Sequence, residues 1–222
     1  MNQKIAVIGK TGQVGSAVLR NAFRFKFEAI GLSREDLDIG DSEKIKQVLR
    51  KLRPAILINT AAYHVLQECE AHPEKAFEIN AIAVGKIAAE CREIGARFVT
   101  FSTDYVFDGK TTRPYDEDDA PRPLQWYGLS KMAGEEAARA FHPEGALIIR
   151  TCGVYGGTEG SRNRRGNFVL RILEEARKEA ELEVGQDQIA SPTYAEDLSQ
   201  AVLALLALDE VQAGIYHLVN EG

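Results

Sequence analysis

The chain has 222 residues, 45% of them hydrophobic and 27% charged, and 27 basic against 33 acidic side chains leave a net charge of −6. That balance is globular, long enough for one domain with a substantial core, and offers nucleic acid no basic surface. Three widely spaced cysteines (Cys69, Cys91, Cys152) and four scattered histidines give neither a disulfide framework nor a metal site, so no metal is expected.

The N-terminal stretch MNQKIAVIGK holds an apolar run too short for a signal peptide or membrane span, and a cytoplasmic protein is expected. Its first strand, Lys4 to Gly9, leads directly into GKTGQVG, where Gly9, Gly12 and Gly15 precede a helix with the periodicity of QVGSAVLRNAFRF. Glycines between a strand and a helix permit a tight turn, admit a pyrophosphate to the backbone and aim the helix N-terminus at its charge. Thr11, Gln13 and Val14 line the same turn. A second strand, Glu28 to Ser33, ends in LSRED, where a dinucleotide fold meets the adenosine ribose. Ser33 and Arg34 favour the phosphate of NADPH, while Glu35 and Asp36 beside them keep NADH open. Asp38 and Ile39 fall at the edge where an adenine would lie, although a helix-approach carboxylate explains Asp38 equally well.

A helix then starts near Ser42, a third strand runs from Ala55 to Thr60, and one long amphipathic helix is expected between Pro73 and Gly95. Strands at Arg97 to Thr103 and Ala146 to Thr151 follow, with the helix LSKMAGEEAARAF between them. Beyond about residue 150 come an arginine-rich loop, a helix near Phe168 to Glu179, a short strand ELEVG, the loop DQIASPT, the helix EDLSQAVLALLAL and a final strand IYHLV. Strands alternating with helices predict an α/β, doubly wound parallel sheet of the Rossmann type. The division expected is a dinucleotide-binding domain at 1–150 and a small substrate-binding lobe at 151–222, interleaved with it.

Tyr127 and Lys131 stand four residues apart on a helix and share a face. A phenol with a pKa near ~10 is a poor acid at neutral pH until a neighbouring ammonium stabilises its phenolate, and Lys131 is expected to lower it. Thr103, at a strand end, can hold a carbonyl oxygen for the phenol to protonate.

These motifs, with NTAAY at Asn59, NAIAVG at Asn80, STDYVFDG at Ser102, YGLSKMAGE at Tyr127, RTCGVYG at Arg150, GNFV at Gly166 and DQIASPT at Asp187, resemble the extended short-chain dehydrogenases. More narrowly, the series is similar to the dTDP-4-dehydrorhamnose reductase family over almost the whole chain. The resemblance implies NAD(P)H-dependent reduction of the 4-keto group of a nucleotide-linked deoxysugar, with Thr103, Tyr127 and Lys131 as the catalytic triad. It further implies that Ala61, Ala62, Tyr63, Asn80, Tyr127 and Lys131 join the glycine loop in holding the cofactor, Asn80 by supporting the lysine. Ser102, Asp104, Tyr105, Phe107, Arg165, Asn167 and Gln188 would meet the nucleotide sugar, Arg165 through its diphosphate. Cys152 and Gly153 stand where the family commonly has a serine and a tryptophan, and Leu66 and Gln67 where it has valine and aspartate.

A related epimerase or dehydratase and a non-catalytic NADP-binding regulatory subunit stay open beside the reductase, as does a homodimer. The acidic run Asp116 to Asp119 reads as a solvated loop, with Mg²⁺ binding as the sharper alternative.

Overall fold

A computed structural model of the chain describes residues 3–156, 167–178, 181–182, 185 and 189–221. Six strands, β1 (Gln3–Ile8), β2 (Phe27–Leu32), β3 (Ile56–Asn59), β4 (Arg97–Thr103), β5 (Ala146–Thr151) and β6 (Gly214–His217), form one sheet in the order β2-β1-β3-β4-β5-β6. Every pairing is parallel. The reason is legible in β3 and β5, which are buried at every position, as strands covered on both faces must be.

Helices α2 (Ser42–Leu52), α5 (Ala83–Ile94) and α6 (Trp126–Phe141) cover one face, meeting Ile8, Leu57, Phe98 and Ile148. Helices α1 (Gln13–Asn21) and α8 (Ala195–Leu206) cover the other, over Val7, Ile58, Val99 and Ile149. Both α8 and β6 therefore belong to the same sheet and core as the first 150 residues. Asp41 caps α2, its carboxylate accepting from the amides of Glu43 and Lys44 at 3.0 Å each.

The expected helix from Pro73 to Gly95 is interrupted. It runs as α4 (Pro73–Phe77), a π turn (Glu78–Ile82) and α5, closing at Gly95 in the left-handed region (φ 72°). A further short helix, α3 (Leu66–Ala71), precedes it, and α7 (Phe168–Ala176) follows β5. Of the strand expected at 181–185, residues 183 and 184 lie outside the described residues, and 181, 182 and 185 are not in a strand. No helix among the described residues is long and apolar enough to cross a membrane.

From β1 the chain steps outward to β2 and then crosses back to β3 on the opposite side. At that reversal the loops diverge and leave a crevice beyond the carboxyl ends of the strands.

Candidate active site

The crevice begins at the glycine turn. Gly9 adopts φ 86°, and the amides of Gly9 and Lys10 donate to the Leu32 carbonyl at 3.0 and 3.1 Å, tying the turn to the end of β2. A Cβ on Gly15 would lie 2.3 Å from the Gly9 carbonyl oxygen, so the helix can approach the turn only as glycine. Gly12 caps α1 without a side chain, and the first-turn amides, those of Gln13 and Val14 among them, face the turn with no side-chain cap. Thr11 is half-buried in the turn. This cradle fits a pyrophosphate, the central group of a dinucleotide cofactor.

At the end of β2, the amide and hydroxyl of Ser33 and the ammonium of Lys10 all donate to one oxygen of Asp36. The Lys10 ammonium, first among the causes, holds that carboxyl well below the usual range. Arg34 pairs with Asp38 at 3.0 Å on the surface. The Ile39 side chain is a core residue, 6% exposed, so an adenine there could meet only its backbone.

Past β3, Thr60 donates to the Ile8 carbonyl at 2.7 Å, and the loop Ala61, Ala62, Tyr63 crosses the crevice. Asn80, 1% exposed and within the π turn, pins that loop to α6. It accepts from the Tyr63 amide (2.8 Å) and donates to the Tyr63 carbonyl (2.8 Å) and the Ser130 hydroxyl (3.0 Å). A Cβ on Gly134 would sit 2.0 Å from the Asn80 carbonyl oxygen, so α6 rests directly on the π turn. That contact fixes how far the Tyr127 face of α6 stands from the sheet.

Thr103 is 5% exposed at the tip of β4. Its hydroxyl donates to Asp104 at 3.0 Å and accepts from the Tyr105 amide at 3.2 Å. Lys131, 6% exposed, lies one turn further along α6 and forms no hydrogen bond among the described residues. Burial pushes its pKa from 10.5 down to about 8 against the opposing charge of Glu135. The Tyr127 phenol is pushed upward, also by burial first, with Thr103 opposing and Asp104 adding to the rise. Lys131 is not among the groups that shift the phenol in this structure, so the lowering expected from its ammonium does not appear and burial sets the direction. Tyr105 is 37% exposed and packs edge-on to Tyr127 at 5.9 Å. Asp104 also accepts from the Cys152 thiol at 2.9 Å, and burial pushes that thiol up to about 12.

Two expected substrate contacts are committed elsewhere. Ser102 donates to Glu135, which holds Arg150 in a two-pronged pair (3.0 and 2.7 Å) with side chains 2% and 4% exposed. Phe107 stacks on Tyr115 at 4.2 Å with the Arg150 guanidinium 5.0 Å from its ring centre. Asn167 caps α7 and donates to the Gln13 side chain at 3.1 Å, so it borders the glycine turn. Arg165 and Gln188 lie outside the described residues. The acidic run is spent internally: Asp116 and Asp119 take Arg113, and Glu117 accepts from the His217 amide.

Three buried polar atoms have no partner among the described residues: Asn59 Nδ2, Gln125 Nε2 and Thr151 Oγ1. Asn59 and Thr151 end β3 and β5, Gln125 caps α6, and so all three border the crevice. Strand-end position was the available signal for Asn59 and Thr151, and sequence reasoning passed over all three as site residues.

A family model described as the RmlD substrate binding domain matches residues 3–222. The spore coat polysaccharide biosynthesis protein SpsK of Bacillus subtilis is 39% identical over 99% of this chain and 74% of its own length. The dTDP-4-dehydrorhamnose reductase of Escherichia coli is 37% identical over 98% of this chain and 73% of its own. Among solved structures, dTDP-4-dehydrorhamnose reductase from Bacillus anthracis in complex with NADP superposes with a TM-score of 0.90 at 32% identity. It is covered over 76% of its length by the whole of this chain. UDP-glucose 4-epimerase from Thermotoga maritima, 21% identical with a TM-score of 0.81, shares the fold.

Proposed function

The chain belongs to the RmlD substrate binding domain family, and from that premise we propose that it is an NADPH-dependent reductase of a nucleotide-linked 4-keto-6-deoxy sugar. The substrate we assign is dTDP-4-dehydrorhamnose, reduced to dTDP-L-rhamnose. Relatives named for that reaction, one of them solved with NADP, support the assignment. The observation in this chain that carries it is that Tyr105 bridges Thr103 and Tyr127 where β4 ends, its amide on the Thr103 hydroxyl and its ring edge-on to Tyr127, one helical turn from a buried Lys131.

When bound, the dinucleotide supplies a hydride to carbon 4 of the sugar. Tyr127 gives the proton that turns the carbonyl oxygen into a hydroxyl. Thr103 orients the phenol and the oxygen it protonates. Lys131 stands where a cofactor ribose would be held, and Asn80 keeps α6 in register with the loop Ala61, Ala62, Tyr63. Asp104 and Tyr105 form the wall next to the sugar, Asn167 the edge beside the glycine turn. Arg165 and Gln188, outside the described residues, join the substrate contacts in this reading.

The test follows NADPH absorbance as the protein meets dTDP-4-dehydrorhamnose. Wild type consumes NADPH, and Tyr127→Phe loses on the order of a hundredfold to ten-thousandfold in kcat while still binding the cofactor. NADPH binding without consumption by wild type would sink the reductase reading.

A further inference from the structure

β4 and β5 pair in register up to Thr103 and Thr151, which brings the next residue of each, Asp104 and Cys152, together beyond the sheet. There the Asp104 carboxylate is held at both oxygens. The Cys152 thiol donates to Oδ2 at 2.9 Å and the Thr103 hydroxyl donates to Oδ1 at 3.0 Å. The cysteine is 6% exposed, and burial pushes its thiol up to about 12, so the sulfur keeps its hydrogen as a donor well above neutral pH.

A hydroxyl has one hydrogen to give and two lone pairs to offer. In Thr103 the hydrogen goes to Asp104 and one lone pair takes the Tyr105 amide at 3.2 Å, which leaves a single lone pair. The same amide contact opens a 3-10 turn, Asp104–Val106, and sets the Tyr105 ring edge-on to Tyr127 at 5.9 Å. Helix α6 meets that turn backbone to backbone: a Cβ on Gly128, the residue after Tyr127, would lie 2.1 Å from the Tyr105 carbonyl oxygen. The positions of Thr103 and Tyr127 are therefore set through one turn.

We propose that Asp104 is a positioning residue for the reduction: anchored by Cys152 at one oxygen, it holds the Thr103 hydrogen with the other, so that Thr103 enters the reaction as an acceptor. This deepens the reductase reading above and rests on it. An acceptor takes a hydrogen from the Tyr127 phenol before the sugar arrives and from the sugar's new hydroxyl once the proton has moved. A ketone oxygen has no hydrogen to offer Thr103, which leaves the phenol as its donor. Hydrogen bonds to a carboxylate are among the stronger kind, so two of them fix how it is turned. Without the thiol, Oδ2 loses its partner, the carboxylate is free to turn, and the Thr103 hydroxyl turns with it.

The test follows NADPH consumption with dTDP-4-dehydrorhamnose in Cys152→Ala, Cys152→Ser and Asp104→Ala, with each cysteine change also combined with Thr103→Val and with Asp104→Ala. Cys152→Ala is expected to lower kcat about tenfold with KM within about twofold of wild type, and Cys152→Ser, which keeps a donor, to stay within about threefold in kcat. In the Thr103→Val or Asp104→Ala background the cysteine change should cost less than about twofold more, because the group it acts through is gone. A readout without turnover is the S–H stretch that wild type shows and both cysteine variants lack, which should move toward the free-thiol position in Asp104→Ala. An unchanged kcat in Cys152→Ala, equal losses in Cys152→Ala and Cys152→Ser, losses that multiply across the double variants, or an unmoved S–H band would each overturn the proposal while leaving the reductase reading intact. A wild type that consumes no NADPH removes that reading and this inference with it.

Discussion

The two ends of the crevice are built on opposite principles. The end at β1 and β2 uses backbone geometry and exposed charge: glycines that admit no Cβ, an uncapped helix terminus, and the Lys10–Asp36 and Arg34–Asp38 pairs at the surface. The end at β4, β5 and α6 uses buried side chains: Thr103, Lys131, Glu135 and Arg150 are all 6% exposed or less. Charge in water is adjustable, and charge out of water is committed. Groups at the first end can rearrange in water, whereas those at the second are fixed in position beforehand.

The sharpest way to break this contrast is at the buried pair. Glu135→Ala leaves the Arg150 guanidinium facing Phe107 and His217 without its carboxylate, and it takes the acceptor from Ser102. Removing one partner of a buried pair costs about 3–5 kcal/mol, and urea unfolding should show a loss of that size. A loss under about 1 kcal/mol would mean that water reaches this end and that the contrast is false.

How much of this was legible beforehand follows the same divide. The glycine spacing, the strand alternation and the Tyr127–Lys131 interval are local patterns, and the strand alternation reads correctly as a Rossmann-like parallel sheet. The π turn escaped because an inserted residue leaves the apolar period of α4 and α5 nearly unchanged, while freeing the Asn80 carbonyl to meet α6. Glu135 was within reach: four residues after Lys131, it shares the Tyr127 face, whereas Glu136 next to it is exposed. Its partner Arg150 lies on another element and required the register Ser102 to Arg150.

A pH series at Lys131 sharpens the contrast with a smaller effect. The unfolded chain keeps the lysine proton up to its ordinary pKa of 10.5, and the folded chain releases it near about 8. Between those values the unfolded chain binds more protons, so stability rises with pH. Above about pH 10 the raised Tyr127 pKa works the other way, because the unfolded phenol ionises first. Between about pH 8 and 10 the raised thiols of Cys69, Cys91 and Cys152 also oppose that gain, because unfolded thiols ionise first, so the lysine is read as a difference: wild type should gain about 1–3 kcal/mol relative to Lys131→Met when unfolding of both is followed across that range. Parallel curves for the two proteins would show that the ammonium is already solvated.

The smallest effect belongs at the other end of the crevice and gives the comparison its control. The Lys10–Asp36 contact, at 2.8 Å, is as short as the Arg150–Glu135 contact at 2.7 Å, so distance alone predicts equal consequences. Exposure predicts otherwise: water and salt already solvate Lys10 and Asp36, and holding them together costs side-chain freedom. Asp36→Ala should change unfolding free energy by less than about 1 kcal/mol, while Glu135→Ala costs several times more under the same conditions. If the two losses came out alike, burial would not be what separates the ends.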